Sequence, residues 1–372
     1  MIGLYVHVPF CVHKCIYCDF PSYGGVSHYI EDYVQALCRE IDGFTGTDQA
    51  DTVYFGGGTP SLLPTQHIQC ILDHLRRKFF ILDNAEITVE ANPDSMDAVY
   101  AAALASIGVN RISLGIQSFS DDMLAFLGRI HSAAAGVKAV RAVQDAGIDN
   151  VSIDLMYGLP GQTLEMAAYD MEMLSGLSVT HASIYHLIVE EHTPLFYGVQ
   201  QKKILLPADE SNEAMEGNIH AAMHAMGFQH YEISSYARPG YVSRHNCKYW
   251  KYVPYIGFGV SAHSFYEDRR WSNIANIPAY IGRAGRECVI HEVITIDRMR
   301  AMEDYCFLAL RMRKGIVYSD FARRFSCSIE SEFGTILNQL LNRKLLENTY
   351  QGCCMTDLGL SYGNYVFSQF LR

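Results

Sequence analysis

Three cysteines stand near the N-terminus as Cys11-Val-His-Lys-Cys15-Ile-Tyr-Cys18. Gaps of three and then two residues put three soft thiolates on one short loop, and such ligands select zinc or an iron–sulfur cluster. Structural zinc and ordinary clusters take four protein ligands. Two residues beyond Cys18, however, the chain carries Phe20. A cluster held by Cys11, Cys15 and Cys18 alone leaves one iron open to an outside ligand, much as a catalytic zinc keeps a site for substrate. The plainer readings are a zinc knuckle or buried thiols, and the spacing lacks the fourth ligand a knuckle needs.

Other residues with chemical potential recur along the chain. Gly56-Gly57-Gly58-Thr59-Pro60 is either a tight turn or a place where backbone N–H groups meet a ligand's polar end without Cβ interference. Glu90 and Asp154 are either caps or acceptors for ribose hydroxyls or an amine, and Gln117 and Arg129 offer an amide and a fixed cation to a carboxylate. A second constellation is Arg244-His245-Asn246-Cys247-Lys248-Tyr249-Trp250. Its imidazole is a metal or haem ligand by type, and Tyr249 and Trp250 are flat faces for a macrocycle. A loop histidine beside core aromatics is the other reading of the same residues. Cys247 and His263 are candidates for a second axial ligand.

These residues must be positioned by something, and the apolar pattern says what. Strands are expected over Leu4–Val8, Thr52–Phe55, Glu86–Glu90, Arg111–Gly115, Val151–Met156 and Ala182–Ile188. Helical spacing lies between them, over Tyr29–Ile41, Ile68–Lys78, Ala98–Ile107 and Gly136–Ala146. Alternation of this kind builds a parallel sheet with helices outside, as an open sheet or a (β/α) barrel. The residues singled out follow the strands, on the face where such folds keep their sites. Beyond about residue 240 an aromatic-rich stretch leads to helices over 297–313, 318–325 and 329–342 and a strand-like end. The expectation is a core over residues 1–240, then a haem-motif segment and a small, mainly α, winged-helix-like domain over 241–372.

Composition bounds the function. A net charge of −11 over 372 residues opposes a nucleic-acid surface, which needs a basic face. No apolar run approaches the ~20 residues of a membrane span, and the N-terminus runs into the cysteine loop without a secretory leader, so a reducing cytoplasm is expected. Most of the eleven cysteines are then buried thiols, the adjacent Cys353 and Cys354 included.

Taken in order, these blocks resemble the radical S-adenosylmethionine superfamily, whose mark is Cys-x3-Cys-x2-Cys with an aromatic, here Tyr17, before the last cysteine. The resemblance narrows to the oxygen-independent coproporphyrinogen III oxidase group through Tyr5-Val-His7-Val-Pro-Phe-Cys11, Gly56 to Pro60, Glu90, Gly115-Ile-Gln117-Ser-Phe, Gly128-Arg129-Ile-His131 and Asp154-Leu-Met-Tyr-Gly-Leu-Pro. It implies a partial (β/α)6 barrel holding a [4Fe–4S] cluster on Cys11, Cys15 and Cys18, with S-adenosylmethionine chelating the open iron. An electron passed through the cluster would cleave the sulfonium to a 5′-deoxyadenosyl radical. By position, Tyr5, Gly57, Glu90, Gln117, Arg129 and Asp154 resemble the nucleotide contacts, with Tyr17, Gly58 and Thr59 beside them.

Three departures point away from the oxidase itself. Phe20 replaces a further cysteine, only ten residues precede Cys11, and His245-Asn246-x-x-Tyr249-Trp250 resembles the haem-binding mark of the group's haem-chaperone branch. The resemblance therefore implies haem bound at His245 and handed to haemoprotein acceptors such as membrane-bound respiratory cytochromes, with any membrane docking peripheral and through the partner. A homodimer is compatible with it. The alternatives are radical decarboxylation of coproporphyrinogen III propionates and, third, radical haem degradation or methyl transfer.

Overall fold

The computed structural model describes residues 1–46 and 48–371. Six strands, β1 (Ile2–Val8), β2 (Gln49–Gly57), β3 (Phe80–Ala91), β4 (Arg111–Gln117), β5 (Asn150–Tyr157) and β6 (His181–His186), pair parallel in chain order. Every expected strand is present, most extended by a residue or more at an end. The period of two sorts their side chains. In β1, Ile2, Leu4, Val6 and Val8 enter the main apolar core, whereas Tyr5 and His7 line a cavity on the other face. In β4 the apolar set is Ile112, Leu114 and Ile116, and the cavity set is Arg111, Ser113, Gly115 and Gln117.

Helices cover the apolar face because their buried residues recur at helical spacing. In the helix Ile30–Gly43 these are Tyr33, Val34, Leu37, Cys38 and Ile41. Leu37 is fully buried, so truncating it to alanine costs about 2–5 kcal/mol. Thr65–Lys78 buries Ile68, Ile71, Leu72 and Leu75 in the same way and packs beside it.

The sheet does not stop at six strands. Ser235–Ala237 and Gln229–Glu232 add antiparallel beyond β6. On the other side Tyr255–Phe258 adds parallel to β1, followed by His263–Tyr266, Arg269–Asn273 and Ile290–Thr295 antiparallel. The aromatic-rich stretch thus belongs to the sheet, which runs across residue 240. The twelve strands form an open series with Gln229–Glu232 and Ile290–Thr295 at its edges. No closed barrel forms.

A second core, including Met302, Tyr305, Phe321, Phe333 and Phe370, gathers the helices Arg298–Leu310, Tyr318–Phe325 and Ile329–Asn342. A hairpin, Leu346–Asn348 with Gly352–Met355, follows, and Ile316–Val317 pairs with it. Helices Asp357–Ser361 and Gly363–Ser368 then end the chain where the sequence suggested only a strand-like finish. At five and six residues they are too short to show a helical period.

This module spans the gap in the sheet. Chain continuity ties it to the Ile290–Thr295 edge, since Arg298 begins its first helix. At the other edge Ile233 N donates to Arg311 O and Arg313 N donates to Tyr231 O, both at 3.0 Å. Among the described residues no helix is long and apolar enough to cross a membrane.

Candidate functional site

One cavity of about 1610 Å³ lies against the polar face of the parallel strands. Cys11, Cys15, Cys18, Tyr5, Tyr17, Gly57, Gly58, Thr59, Glu90, Gln117, Arg129 and Asp154 all line it. Twelve of the thirteen residues singled out from the sequence are thereby brought together. His245 is the exception.

The cysteine loop is pinned at its start. Phe10–Cys11 pairs with Tyr23–Gly24, and Cys18 N donates to Cys15 O at 3.3 Å. All three cysteines are free thiols, half-buried, and burial pushes that of Cys18 up. A tetrahedral zinc would hold its sulfurs about 3.8 Å apart, given Zn–S bonds of about 2.3 Å. The three sulfurs are not all within 4.8 Å of one another.

A chain of hydrogen bonds closes around this loop. Thr59 Oγ1 donates to Cys11 Sγ at 3.7 Å, and Asn92 Nδ2 donates to Thr59 Oγ1 at 3.1 Å. From the other side Arg129 Nη2 donates to Asn92 Oδ1 at 2.7 Å and Nη1 to Cys15 Sγ at 3.7 Å. The glycines are needed for close approach. Gly57 has φ +115°, and a Cβ there would fall 2.6 Å from the His7 ring; a Cβ at Gly58 would fall 2.6 Å from Phe10 O and 3.0 Å from Cys11 Sγ. Fitting both constraints, the loop and its surroundings are a cradle that only small residues allow.

Deeper in, two carboxylates face the cavity. Tyr54 Oη donates to Glu90 Oε1 at 2.7 Å and Gly57 N to Oε2 at 3.1 Å. Burial nevertheless pushes the Glu90 carboxyl up to about 7, with the charge of Asp154 adding to the effect. Asp154 accepts from Ser113 Oγ at 3.3 Å, and burial raises it to about 6 against the pull of Arg111. Arg111 is 1% exposed, and its Nε and Nη1 have no hydrogen-bond partner, as is also true of Arg129 Nε. Buried guanidinium N–H groups without a partner, beside carboxyls near neutrality, suit a ligand with both a carboxylate and proton donors, such as an amino acid or its nucleoside derivative.

Gln117 holds φ +70°, a left-handed conformation costing about 1–3 kcal/mol in a non-glycine residue. It is buried, and its Oε1 accepts from Tyr185 Oη at 2.9 Å, so the side chain is fixed at the cavity wall. Arg111, Tyr54, Asn92 and Tyr185 were not foreseen. A signal for Arg111 existed: in β4 the polar residues Arg111, Ser113 and Gln117 alternate with Ile112, Leu114 and Ile116.

The far wall is aromatic. Tyr249, Trp250, Tyr255 and Phe265 line it, with Arg270 and Arg311 among them. Tyr249 and Tyr255 meet edge-on at 4.6 Å, and Arg311 Cζ sits 4.3 Å from the Trp250 ring centroid. His263 is exposed on this lining, whereas Cys247 is buried away from it.

His245 lies in the first turn of the short helix Arg244–Trp250 but points behind the wall. It is fully buried and stacks on Tyr54. Nδ1 hydrogen-bonds Thr52 Oγ1 and Nε2 hydrogen-bonds Tyr249 Oη, each at 2.8 Å. Burial lowers its pKa to about 3, helped by Lys248 and Arg111, so the neutral ring donates through one nitrogen and accepts through the other. Both ring nitrogens are committed to hydrogen bonds. The imidazole expected to ligate haem is thus held by protein partners, and its partner Tyr249 lines the cavity.

Comparisons with known proteins show the family. Residues 5–174 match the radical SAM superfamily model, and residues 296–362 match the HemN C-terminal domain. The chain is 36% identical over 368 residues to the "Heme chaperone HemW" of Lactococcus lactis, covering 99% of this chain and 96% of that one. It is also 36% identical to the protein of the same name from Bacillus subtilis, over 100% of this chain and 99% of the relative. Among solved structures, the Escherichia coli coproporphyrinogen III oxidase HemN, described as a radical SAM enzyme, superimposes with a TM-score of 0.85 at 23% identity. That match covers 99% of this chain and 89% of the oxidase and is a likeness of fold. With full-length identity of this order and both domain models in place, the chain belongs to the HemW family of the radical SAM superfamily.

Proposed function

We propose that this protein is a haem chaperone, which carries a [4Fe–4S] cluster and S-adenosylmethionine at one end of the cavity and haem at the other, for delivery to haemoprotein acceptors. The observation that carries this reading is the cavity's size and two-ended lining. Pockets for one small molecule run to roughly 300–1,000 Å³, and this one, at about 1610 Å³, has room for two ligands. Cys11, Cys15 and Cys18 would hold the cluster, whose chemistry is electron transfer to a bound sulfonium. Glu90 and Asp154 would accept from the nucleoside, Gln117 and Arg129 would take its carboxylate side, and Tyr5, Tyr17, Gly57, Gly58 and Thr59 would shape the seat.

Haem would lie against Tyr249, Trp250, Tyr255 and Phe265, a flat apolar surface suited to a macrocycle. Arg270 and Arg311 would meet its propionates. His263 is the exposed imidazole on that wall, and His245 serves by fixing Tyr249. Respiratory cytochromes are the acceptors in view, reached at the membrane through the partner, from the cytoplasm.

The deciding experiment loads the anaerobically reconstituted protein with haem and mixes it with an apo-cytochrome. Transfer is read as loss of the protein's Soret band and gain of the acceptor's. In parallel, coproporphyrinogen III, reductant and S-adenosylmethionine are supplied. Haem transfer without protoporphyrinogen supports the chaperone reading; protoporphyrinogen formation overturns it in favour of the oxidase.

A further inference from the structure

A second set of metal-ligating side chains lies outside the cavity, between the helices Ile30–Gly43 and Thr65–Lys78. Among the described residues, Cys38, Cys70 and His74 are the one set of three whose ligand atoms all fall within 4.8 Å of one another. Cys70 and His74 are four residues apart on one helix, as are Cys38 and Asp42 on the other, so each pair shares a helix face. The two faces meet. Cys38 Sγ and Cys70 Sγ are 3.9 Å apart, and Asp42 Oδ1 is 2.8 Å from His74 Nδ1.

At 3.9 Å the two thiols share a hydrogen bond, and the separation excludes a disulfide while matching what a shared metal needs. A disulfide would bring the sulfurs to about 2.0 Å, and both cysteines are free. Two thiolates bound to one tetrahedral zinc sit about 3.8 Å apart, close to the spacing found. The cysteine loop of the cavity, by contrast, does not gather its sulfurs so tightly. Asp42 supplies the feature expected behind a metal-bound imidazole, a carboxylate that holds one ring nitrogen and thereby aims the other. Cys38 is buried, His74 half-buried and Cys70 exposed, so the set has an apolar floor and an entry path from solvent. None of these residues lines the cavity.

We propose that Cys38, Cys70 and His74 form a second metal site for a zinc-class divalent cation, with Asp42 orienting the imidazole and water completing the tetrahedron. The site staples the first two outer helices to each other. It is independent of the cluster and of haem. Binding displaces a proton from each thiol, so metal uptake acidifies an unbuffered solution.

The test uses the full-length chain with Cys11, Cys15 and Cys18 changed to serine, which silences the cysteine loop, and titrates it anaerobically with cobalt(II). The expected result is one equivalent bound with thiolate-to-cobalt charge-transfer absorption, displaced by zinc. Cys70→Ser removes an exposed thiol and should abolish the band with an unchanged circular dichroism spectrum. Asp42→Asn should weaken affinity by about 10- to 100-fold while the band's shape persists. No charge-transfer band in the parent, or a band indifferent to Cys70→Ser, overturns the proposal. So does recovery of a Cys38–Cys70 disulfide from protein purified anaerobically with zinc.

Discussion

The imidazole of His245 stacks on the ring of Tyr54, with centroids 4.9 Å apart and planes 24° from parallel, and the same tyrosine's hydroxyl donates to Glu90. A residue of the haem motif and a carboxylate of the nucleotide end therefore share one intermediary. The motif's histidine is part of the sheet's polar face, not of its aromatic wall.

Replacing His245 with alanine should lower stability by about 2–4 kcal/mol, because it leaves a cavity and unpairs Thr52 and Tyr249. Haem affinity should fall with it. In His245→Gln, which keeps most of the volume, the haem that still binds should show the same axial-ligand spectrum as in the parent. A changed ligand spectrum in a variant of unchanged melting temperature would show instead that the ring swings out to the iron.

On the cavity's aromatic wall, Arg311→Ala removes a cation stacked on Trp250. Haem titration should report a loss of affinity of about tenfold, on the scale of a desolvated cation–π contact and a charge-assisted hydrogen bond. Iron and sulfide content should not change, since Arg311 packs on Trp250 while the cysteine loop is held by Thr59 and Arg129. Equal loss of cluster and haem would mean the variant unfolds the wall.

Asn92 links the two arms of the hydrogen-bond chain around the cysteine loop. Asn92→Ala should leave the loop assembled but less constrained, so that chelator strips iron several-fold faster at equal initial content. Cys11, Cys15 and Cys18 changed together to alanine should abolish the brown absorbance altogether. Cluster-type absorbance surviving in that triple variant would reject these ligands.

The carboxyls of Glu90 and Asp154 have folded-state values raised by burial to about 7 and about 6. A raised carboxyl binds its proton more tightly in the folded chain, so its ionisation opposes folding. Their contribution to the stability of the ligand-free protein should be full below the unfolded values near 4 and lost as pH rises toward 7, by about 3 kcal/mol from Glu90. Glu90→Gln should flatten that part of the curve of melting temperature against pH. An unchanged slope would place the titration elsewhere.

The strands and their order were legible because β1 to β6 carry dense apolar residues at strand length with helical segments between. Twelve candidate residues share the cavity lining because they lie on the parallel strands, as Tyr5, Glu90 and Asp154 do, or in the segments beyond their ends. The burial of His245 was not legible. Its hydrogen bonds reach Thr52, 193 positions away in the chain, and nothing local distinguishes an imidazole aimed at a macrocycle from one aimed into a sheet. The strands over 255–295 were missed for a related reason: Tyr255–Phe258 is placed by its parallel pairing with β1, and the others by pairing in turn beyond it.

The gap between Gln229–Glu232 and Ile290–Thr295 is bridged by a helical module and not by strand pairing. A wall finished in this way is joined at two seams rather than zipped. One is the link from Thr295 to Arg298, where Ile296 N donates to Asp268 O at 2.8 Å and Ile296 packs into the second core. The other includes the backbone hydrogen bonds of Ile233 and Arg313. Closure of the cavity on this side therefore depends on the module's own core, and loosening that core weakens the wall while every strand of the sheet keeps its neighbour.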